Sequence, residues 1–170
     1  MNPIATLHMA NGRNIVIELL PESAPNTVNS FIYTASRGYL DHHAIERIVP
    51  GNWVDVSYTA FGKKECRYLI PNEFELNPDV VPLDSHPGAV CMGGYGEAGL
   101  AGCEFFFPLR DCPDHKGIYP VFGRVLEGMD ELYRLEKVET VPVTDFPIEG
   151  VEVNRPVKPE IIERVELELH

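Results

Sequence analysis

The amino-acid sequence predicts a mainly β fold, a closed eight-stranded antiparallel β-barrel whose open ends are capped by two α-helices. About eight short segments have the alternating or clustered apolar residues of strands. Two segments have the apolar spacing of helices, too few for the crossovers of a parallel sheet. Fifteen prolines and fourteen glycines are scattered along the chain and indicate many turns. We expect residues 1–170 to form a single domain.

The first two strands are predicted to form a hairpin from residues 4–9 and 13–20. Asn11-Gly12 lies between them and is typical of a two-residue hairpin turn. The second strand has one apolar face, because every second residue is apolar: Ile15, Ile17 and Leu19.

The first helix is predicted within "SAPNTVNSFIYTASRGY", residues 23–39. Pro25 falls in its first turn, where a missing N–H is tolerated, and Gly38 suits its end. Its apolar residues recur at i, i+3, i+4 and i+7, and they are Val28, Phe31, Ile32 and Ala35.

The middle of the chain is predicted to hold strands at 43–49 and 53–57, followed by a long irregular stretch from 59 to 102. Within that stretch, only "GAVCM" at 88–92 has the apolar character of a strand.

The remainder of the chain is predicted to contain three strands and the second helix. The strands are "EFFFPL" at 104–109, "PVFGRV" at 120–125 and the alternating "IIERVELEL" at 161–169. The helix is "GMDELYRLEKV" at 128–138, with Met129, Leu132 and Tyr133 expected on one face.

Composition excludes several classes of function. The net charge of −12 argues against a nucleic-acid partner, because phosphate contacts need clustered Lys and Arg. No apolar run approaches the ~18–20 residues that span a membrane. The beginning, "MNPIATLHM", lacks the basic and apolar segments of a secretory signal. A cytoplasmic protein is therefore expected.

The cysteines and one glycine-rich segment do not predict a cofactor. Cysteines stand at 66, 91, 103 and 112 without a CxxC pair, so we expect reduced thiols and no metal site. "GYGEAG" at 94–99 fits the GxGxxG pattern of dinucleotide sites. However, glycines interrupt the turn that follows and "EFFFPL" is strand-like, so no βαβ unit surrounds the motif. We expect no cofactor.

Ordered motifs along nearly the whole chain resemble those of the cyclophilins, a family of peptidyl-prolyl cis–trans isomerases. They are "APNTVNSFIYTASRGYLD", "ERIVPG", "IPNEF", "HPGAVCM", "GCEFFFPL", "VFGRVLEGMDELYRLEKV" and "RPVKPEIIERVEL". The last of these is similar to the closing strand of many bacterial members. The fold that the resemblance implies, an eight-stranded barrel with two capping helices, agrees with the pattern of elements.

Arg47, in an otherwise apolar strand, is the residue that the resemblance identifies as the catalytic donor. Rotation about an X–Pro bond has a barrier of ~18–20 kcal/mol because the C–N bond has partial double-bond character. In the twisted state, the prolyl nitrogen can accept a hydrogen bond. A fixed cationic donor there stabilises the transition state and not the planar ground state. Without the resemblance, a solvated strand charge remains the alternative for Arg47.

The resemblance also implies a substrate groove, in which many residues depart from the family pattern. Phe106 matches the phenylalanine at the floor of the proline pocket. Asp55 and Glu104 replace glutamines, and an acidic Asp55 beside Arg47 is expected to lower activity. The other residues assigned to the groove are Asn52, Trp53, Gly93, His115 and Tyr119.

Two functions of different class stay open. The first is isomerisation of X–Pro bonds in peptides and folding proteins, with reduced or altered activity. The second is a non-catalytic module of the same fold that binds peptides or proteins. A small-molecule-binding barrel is disfavoured, because small barrels are normally filled by side chains. Proline-containing peptides or unfolded protein segments are the expected partners, no membrane contact is expected, and a monomer is expected.

Overall fold

The computed structural model describes residues 1–56 and 64–170. The last residue of the strand predicted at 53–57 lies outside these described residues. The helices are α1 (Pro25–Ser36), α2 (Glu73–Leu76) and α3 (Met129–Glu136). The strands are β1 (Ile4–Met9), β2 (Asn14–Leu19), β3 (His43–Ala44), β4 (Arg47–Val49), β5 (Trp53–Val56), β6 (Leu69–Ile70), β7 (Ala89–Gly94), β8 (Leu100–Pro108), β9 (Val121–Glu127), β10 (Thr140–Pro142), β11 (Asn154–Pro156) and β12 (Ile161–Glu168).

Ten of these strands form one curled antiparallel sheet, in the order β3-β12-β1-β2-β9-β7-β8-β5-β4, with β6 paired to β8. The mainly β prediction is confirmed, but the closed eight-stranded barrel is not observed. The end strands β3 and β4 are two and three residues long and do not pair with each other in the described residues. Such short strands offer no ladder that could close the ring, so the sheet is a curled half-barrel.

The β1–β2 hairpin is present, but its turn differs from the prediction. The Met9 N–H donates to the Arg13 carbonyl at 2.8 Å, and the Gly12 N–H donates to the Met9 carbonyl at 2.9 Å. These bonds enclose a three-residue loop, residues 10–12, instead of a two-residue turn. Gly12 has a φ of 87°, which is the left-handed position at the end of such a loop.

Helix α1 begins and ends as its sequence predicts. Pro25 is in the first turn, and Gly38 follows the helix with a φ of 70°. The Gly38 N–H donates to the Ala35 carbonyl and the Tyr39 N–H to the Thr34 carbonyl, which is the Schellman arrangement. At the other end, buried Glu73 of α2 accepts from the N–H of Thr27 at 2.9 Å, which compensates the open helix terminus.

Two predictions about individual elements are wrong in detail. Helix α3 buries Leu132 and Leu135, whereas Tyr133 is exposed. The buried face of the helix is formed by residues 131, 132 and 135 and does not include position 133. Strand β8 begins at Leu100, four residues before the predicted "EFFFPL". All nine residues of β8 are buried, so it lacks the alternation that marks a half-exposed strand.

The main apolar core lies inside the curl of the sheet, under α1 and α3. Its centre contains four phenylalanines: Phe31, Phe105, Phe107 and Phe122. The rings of Phe31 and Phe105 meet edge to face, with centroids 5.3 Å apart. In the described part of the chain, no helix is both long enough and apolar enough to cross a membrane.

Candidate active site

A cavity of about 300 Å³ opens on the outer face of the sheet, away from the main core. Eight of the nine residues that the sequence assigned to a groove line it: Arg47, Trp53, Asp55, Gly93, Glu104, Phe106, His115 and Tyr119. The ninth, Asn52, is not part of its lining. Its side chain instead accepts a hydrogen bond from Arg110 Nε at 2.7 Å.

A tight turn brings Arg47 and Asp55 together. Strands β4 and β5 are joined through Pro50 and Gly51, and the Asn52 N–H donates to the Val49 carbonyl at 2.9 Å. Gly51 has a φ of 77°, as a type II turn with proline before glycine requires. The resulting register places Arg47 directly opposite Asp55. Strand β8 then pairs Phe106 with Asp55, so all three residues lie side by side on adjacent strands.

Aromatic rings form one end of the cavity. Phe106 lies 6.1 Å from Trp53, 5.9 Å from His115 and 5.8 Å from Tyr119, measured between ring centroids. Phe106 packs in a small cluster separate from the main core, whereas Phe105 and Phe107 belong to the core. The predicted alternation of the three phenylalanines is therefore confirmed. The enclosed space has the flat, apolar walls that suit a proline ring.

The guanidinium of Arg47 is held in place at the other side of this aromatic cluster. Its Nη1 donates to Asp55 Oδ2 at 2.7 Å, and its Nε donates to the backbone carbonyl of Glu152 at 2.8 Å. The guanidinium carbon lies 5.7 Å from the centre of the Trp53 ring. Only 13% of the Arg47 side chain is exposed. One carboxylate oxygen and one backbone carbonyl therefore help to fix its orientation.

Asp55 and Glu104 form a pair of buried carboxyl groups in the cavity wall, exposed by only 2% and 6%. Burial and the neighbouring Glu104 raise the pKa of Asp55 well above its ordinary value, although Arg47 opposes the shift. Tyr95 Oη donates to Glu104 Oε2 at 3.1 Å. The direction of this shift means that the carboxyl pair keeps a proton to a higher pH than an isolated aspartate does.

Several polar atoms of the cavity wall are buried without a hydrogen bond. Six such side-chain atoms occur in the described residues, and three belong to the wall: Trp53 Nε1, Asp55 Oδ1 and His115 Nδ1. Burial lowers the pKa of His115, so its ring is neutral at pH 7. Unsatisfied donors and acceptors in a cavity are suited to a polar ligand such as a peptide backbone.

Gly94 lies beside Gly93 in the lining, which also contains three residues that the sequence did not assign to the groove: Tyr95, Ile148 and Val151. Ile148 and Val151 come from the connection between β10 and β11. The Asn154 amide donates to the Ile48 carbonyl at 3.0 Å and so fastens this connection to β4. No local pattern marks these residues, because their position depends on long-range packing.

Comparison with known proteins gives the same family throughout. A family model described as cyclophilin type peptidyl-prolyl cis-trans isomerase/CLD matches residues 4–166. A relative in Gibberella zeae, peptidyl-prolyl cis-trans isomerase-like 1, is 31% identical over 90% of this chain and 91% of its own. Peptidyl-prolyl cis-trans isomerase CYP18-2 of Arabidopsis thaliana is 32% identical over 90% of this chain and 92% of its own.

Other relatives are much longer. The mouse peptidylprolyl isomerase domain and WD repeat-containing protein 1 is 30% identical over 88% of this chain, which spans only 23% of that protein. Among solved structures, a cyclophilin type isomerase of Cryptosporidium parvum has a TM-score of 0.79 and covers 100% of this chain and 99% of its own. Its sequence is 17% identical, so the likeness concerns the fold. A second structure of that protein, obtained in the presence of the dipeptide Ala-Pro, has a TM-score of 0.77, covers 98% and 99% of the two chains and is also 17% identical.

Proposed function

Because the chain belongs to the cyclophilin-type peptidyl-prolyl cis–trans isomerase family, we propose that it isomerises X–Pro bonds in peptides and folding proteins. The observation that carries the proposal is the guanidinium of Arg47, fixed beside a pocket of aromatic rings. The pocket holds the proline ring, and the guanidinium donates to the prolyl nitrogen as the amide twists. The chemistry needs no covalent intermediate.

The geometry of Arg47 supports this role. A guanidinium has five N–H donors, and two of them hold the side chain to Asp55 and to the Glu152 carbonyl. A donor that is already oriented loses little entropy when the transition state forms. Trp53 Nε1 adds a buried donor that suits a carbonyl of the peptide beside the proline. The bound segment is thereby held while the X–Pro bond rotates.

A second candidate function is a module of the same fold that binds proline-containing segments without isomerising them. The close ion pair between Arg47 Nη1 and Asp55 Oδ2, 2.7 Å long, favours this alternative. The carboxylate offsets the positive charge that would stabilise the pyramidal nitrogen. Isomerisation is the better supported function, because burial and the neighbouring Glu104 raise the pKa of Asp55, which favours its protonated form and so weakens that offset.

The proposal also covers the domain organisation, oligomeric state, location and partners of the protein. Residues 1–170 act as a single domain and as a monomer, in the cytoplasm, on proline-containing peptides or unfolded protein segments. The net charge of −12 makes strongly acidic partners unfavourable.

NMR exchange spectroscopy on N-acetylated, C-amidated Ala-Pro peptides tests isomerisation directly. We expect exchange between cis and trans signals to accelerate with protein concentration, and Arg47→Ala to remove most of the acceleration. Fluorescence of Trp53, the only tryptophan of the chain, measures binding in the same samples. Binding without accelerated exchange would establish the binding module, and absence of both would contradict either function.

A further inference from the structure

The connection between β10 and β11 brings two apolar side chains to the cavity, and we call them the apolar wall. They belong to Ile148, which is 46% exposed, and to Val151, which is partly exposed. Their charged neighbours Glu149 and Glu152 are exposed and do not belong to the cavity lining. Apolar surface that is open to water at a cavity favours a ligand that covers it with an apolar group.

Two hydrogen bonds attach the segment that carries the apolar wall to the sheet. Asn154 Nδ2 donates to the Ile48 carbonyl at 3.0 Å, and Arg47 Nε donates to the Glu152 carbonyl at 2.8 Å. Val153, which lies between these two attachment points, is buried. The apolar wall is thus in position before a ligand binds, so binding does not have to order it first.

Arg47 connects the apolar wall to the aromatic rings of the cavity. Its guanidinium carbon lies 5.7 Å from the centre of the Trp53 ring. Its Nε reaches the carbonyl of Glu152, the residue that follows Val151. The aromatic pocket, the guanidinium and the apolar wall therefore adjoin one another in one cavity.

The order of atoms in an X–Pro segment indicates which residue meets the apolar wall. When the proline ring lies on Phe106 and the prolyl nitrogen faces Arg47, the next atom of the chain is the carbonyl carbon of X. The Cα atom of X is two bonds from that nitrogen, whereas the Cα atom of the residue after proline is four bonds away. The side chain of X is therefore the one nearest to Arg47 and to the apolar wall beside it.

We propose that Ile148 and Val151 determine the specificity of the protein for the residue before proline, and that they select a large apolar residue such as leucine. The inference rests on the proposed function for the position of the proline in the cavity. Contact between the apolar wall and such a residue removes apolar surface of both partners from water. A polar residue at the same position loses hydrogen bonds to water without replacing them.

Matched peptides test the proposal. Each has the sequence Ala-X-Pro-Ala, is N-acetylated and C-amidated, and carries leucine, alanine or asparagine at X; asparagine has nearly the shape of leucine but is polar. We expect kcat/KM from NMR exchange to be about tenfold higher for leucine than for asparagine, with alanine between them. This ratio corresponds to ~1.4 kcal/mol, or to the burial of roughly 55 Å² of apolar surface. Leucine after proline instead of before it is expected to give no such gain.

Matched variants identify the side chains responsible. Ile148→Asn and Val151→Thr are each expected to lower the leucine-to-asparagine ratio, and the double variant is expected to bring it close to one. Val141→Thr is the control, because it makes the same substitution at an exposed valine of β10 outside the cavity lining. This control is expected to keep the ratio. Thermal melts establish that the variants are folded.

Three results would overturn the proposed specificity: a ratio near one in the unaltered protein, a ratio that the folded double variant keeps, or an equal gain from leucine after proline. Trp53 fluorescence gives the same ratios as dissociation constants. A leucine preference in binding without accelerated exchange would refute isomerisation and retain the specificity. Accelerated exchange without the preference would retain isomerisation and refute the specificity.

Discussion

The two faces of β8 are both buried, but one belongs to the main core and the other lines the cavity. Phe105 and Phe107 point into the main core, where Phe105 contacts the rings of Phe31, Phe107 and Phe122. On the opposite face, Glu104 and Phe106 are also buried but line the cavity. Burial alone therefore does not distinguish a structural position from a functional one. The distinguishing sign is chemical: Phe105 and Phe107 bury apolar rings in the core, while the cavity face buries the carboxyl group of Glu104.

The largest expected effect is on the free energy of unfolding, and it should differ between the neighbouring residues Phe105 and Phe106. Phe105→Ala should lower the free energy of unfolding by about 3–5 kcal/mol, because it removes a fully buried ring from a close-packed core. Phe106→Ala should cost less stability, since Phe106 belongs to a smaller cluster beside an open cavity, but should abolish most peptide turnover. Urea denaturation and NMR exchange on both variants measure the two effects. An equal loss of stability would remove the distinction between the faces.

The next effect concerns the guanidinium in the cavity. Arg47→Ala should lower kcat/KM by about 10²–10³-fold, the usual loss when one preorganised donor to a transition state is removed. Arg155→Ala is the matched control, because Arg155 lies on β11 and pairs with Glu46 outside the cavity lining. Thermal melts establish whether both variants fold. Full activity of a folded Arg47→Ala protein would exclude Arg47 from the mechanism.

Replacing the carboxylate beside Arg47 should have a smaller effect of opposite sign. Asp55→Gln is expected to raise kcat/KM for uncharged Ala-Pro peptides by up to about tenfold, or ~1.4 kcal/mol, because the guanidinium keeps its full charge. For the same reason, the unaltered protein should become more active on these peptides as pH falls and the raised pKa of Asp55 is crossed. An unchanged or lower rate in Asp55→Gln would mean that the carboxylate assists Arg47.

The smallest expected effect is the pH dependence that Asp55 gives to the free energy of unfolding. The pKa of Asp55 is raised in the folded state, so the folded protein binds its proton more tightly than the unfolded chain. The resulting stabilisation is present below the ordinary pKa of aspartate and is lost as pH rises through the raised value. It amounts to about 1.4 kcal/mol for each tenfold difference in proton affinity. Urea denaturation across pH should show this loss in the unaltered protein and not in Asp55→Asn; parallel curves would contradict the raised pKa.

The sequence predicts the elements whose pattern is local. Alternation identifies β2 and β12, and apolar spacing with Pro25 and Gly38 identifies α1. It misses the first part of β8, where both faces are buried and Gly102 interrupts the apolar run. It also misses β10 and β11, which are three residues long and contain prolines. Strands of this kind owe their pairing to distant contacts and have no period to recognise.

The residues of the cavity also divide into those that a local sequence pattern predicts and those that depend on distant contacts. Arg47, Asp55 and Phe106 lie in motifs that resemble a known family, and strand register alone brings them together. Ile148, Val151 and the Glu152 carbonyl come from a segment without such a motif. They reach the cavity because Asn154 binds the Ile48 carbonyl, a contact between residues far apart in the chain. The raised pKa of Asp55 depends on its burial and on the nearby Glu104, and the composition contains neither.

The place of β12 in the sheet matters during protein synthesis. β12 lies between β1 and β3, yet it follows all the other described strands in the sequence. At ~5–20 residues per second, β1 waits roughly 8–30 s on the ribosome for this partner. During that wait the edge of β1, and from its own synthesis onward the edge of β3, are open to pairing with other chains. A nascent chain that has completed α1 and the cavity strands therefore still exposes these edges, and we expect interruption of translation before residue 161 to yield an aggregation-prone product.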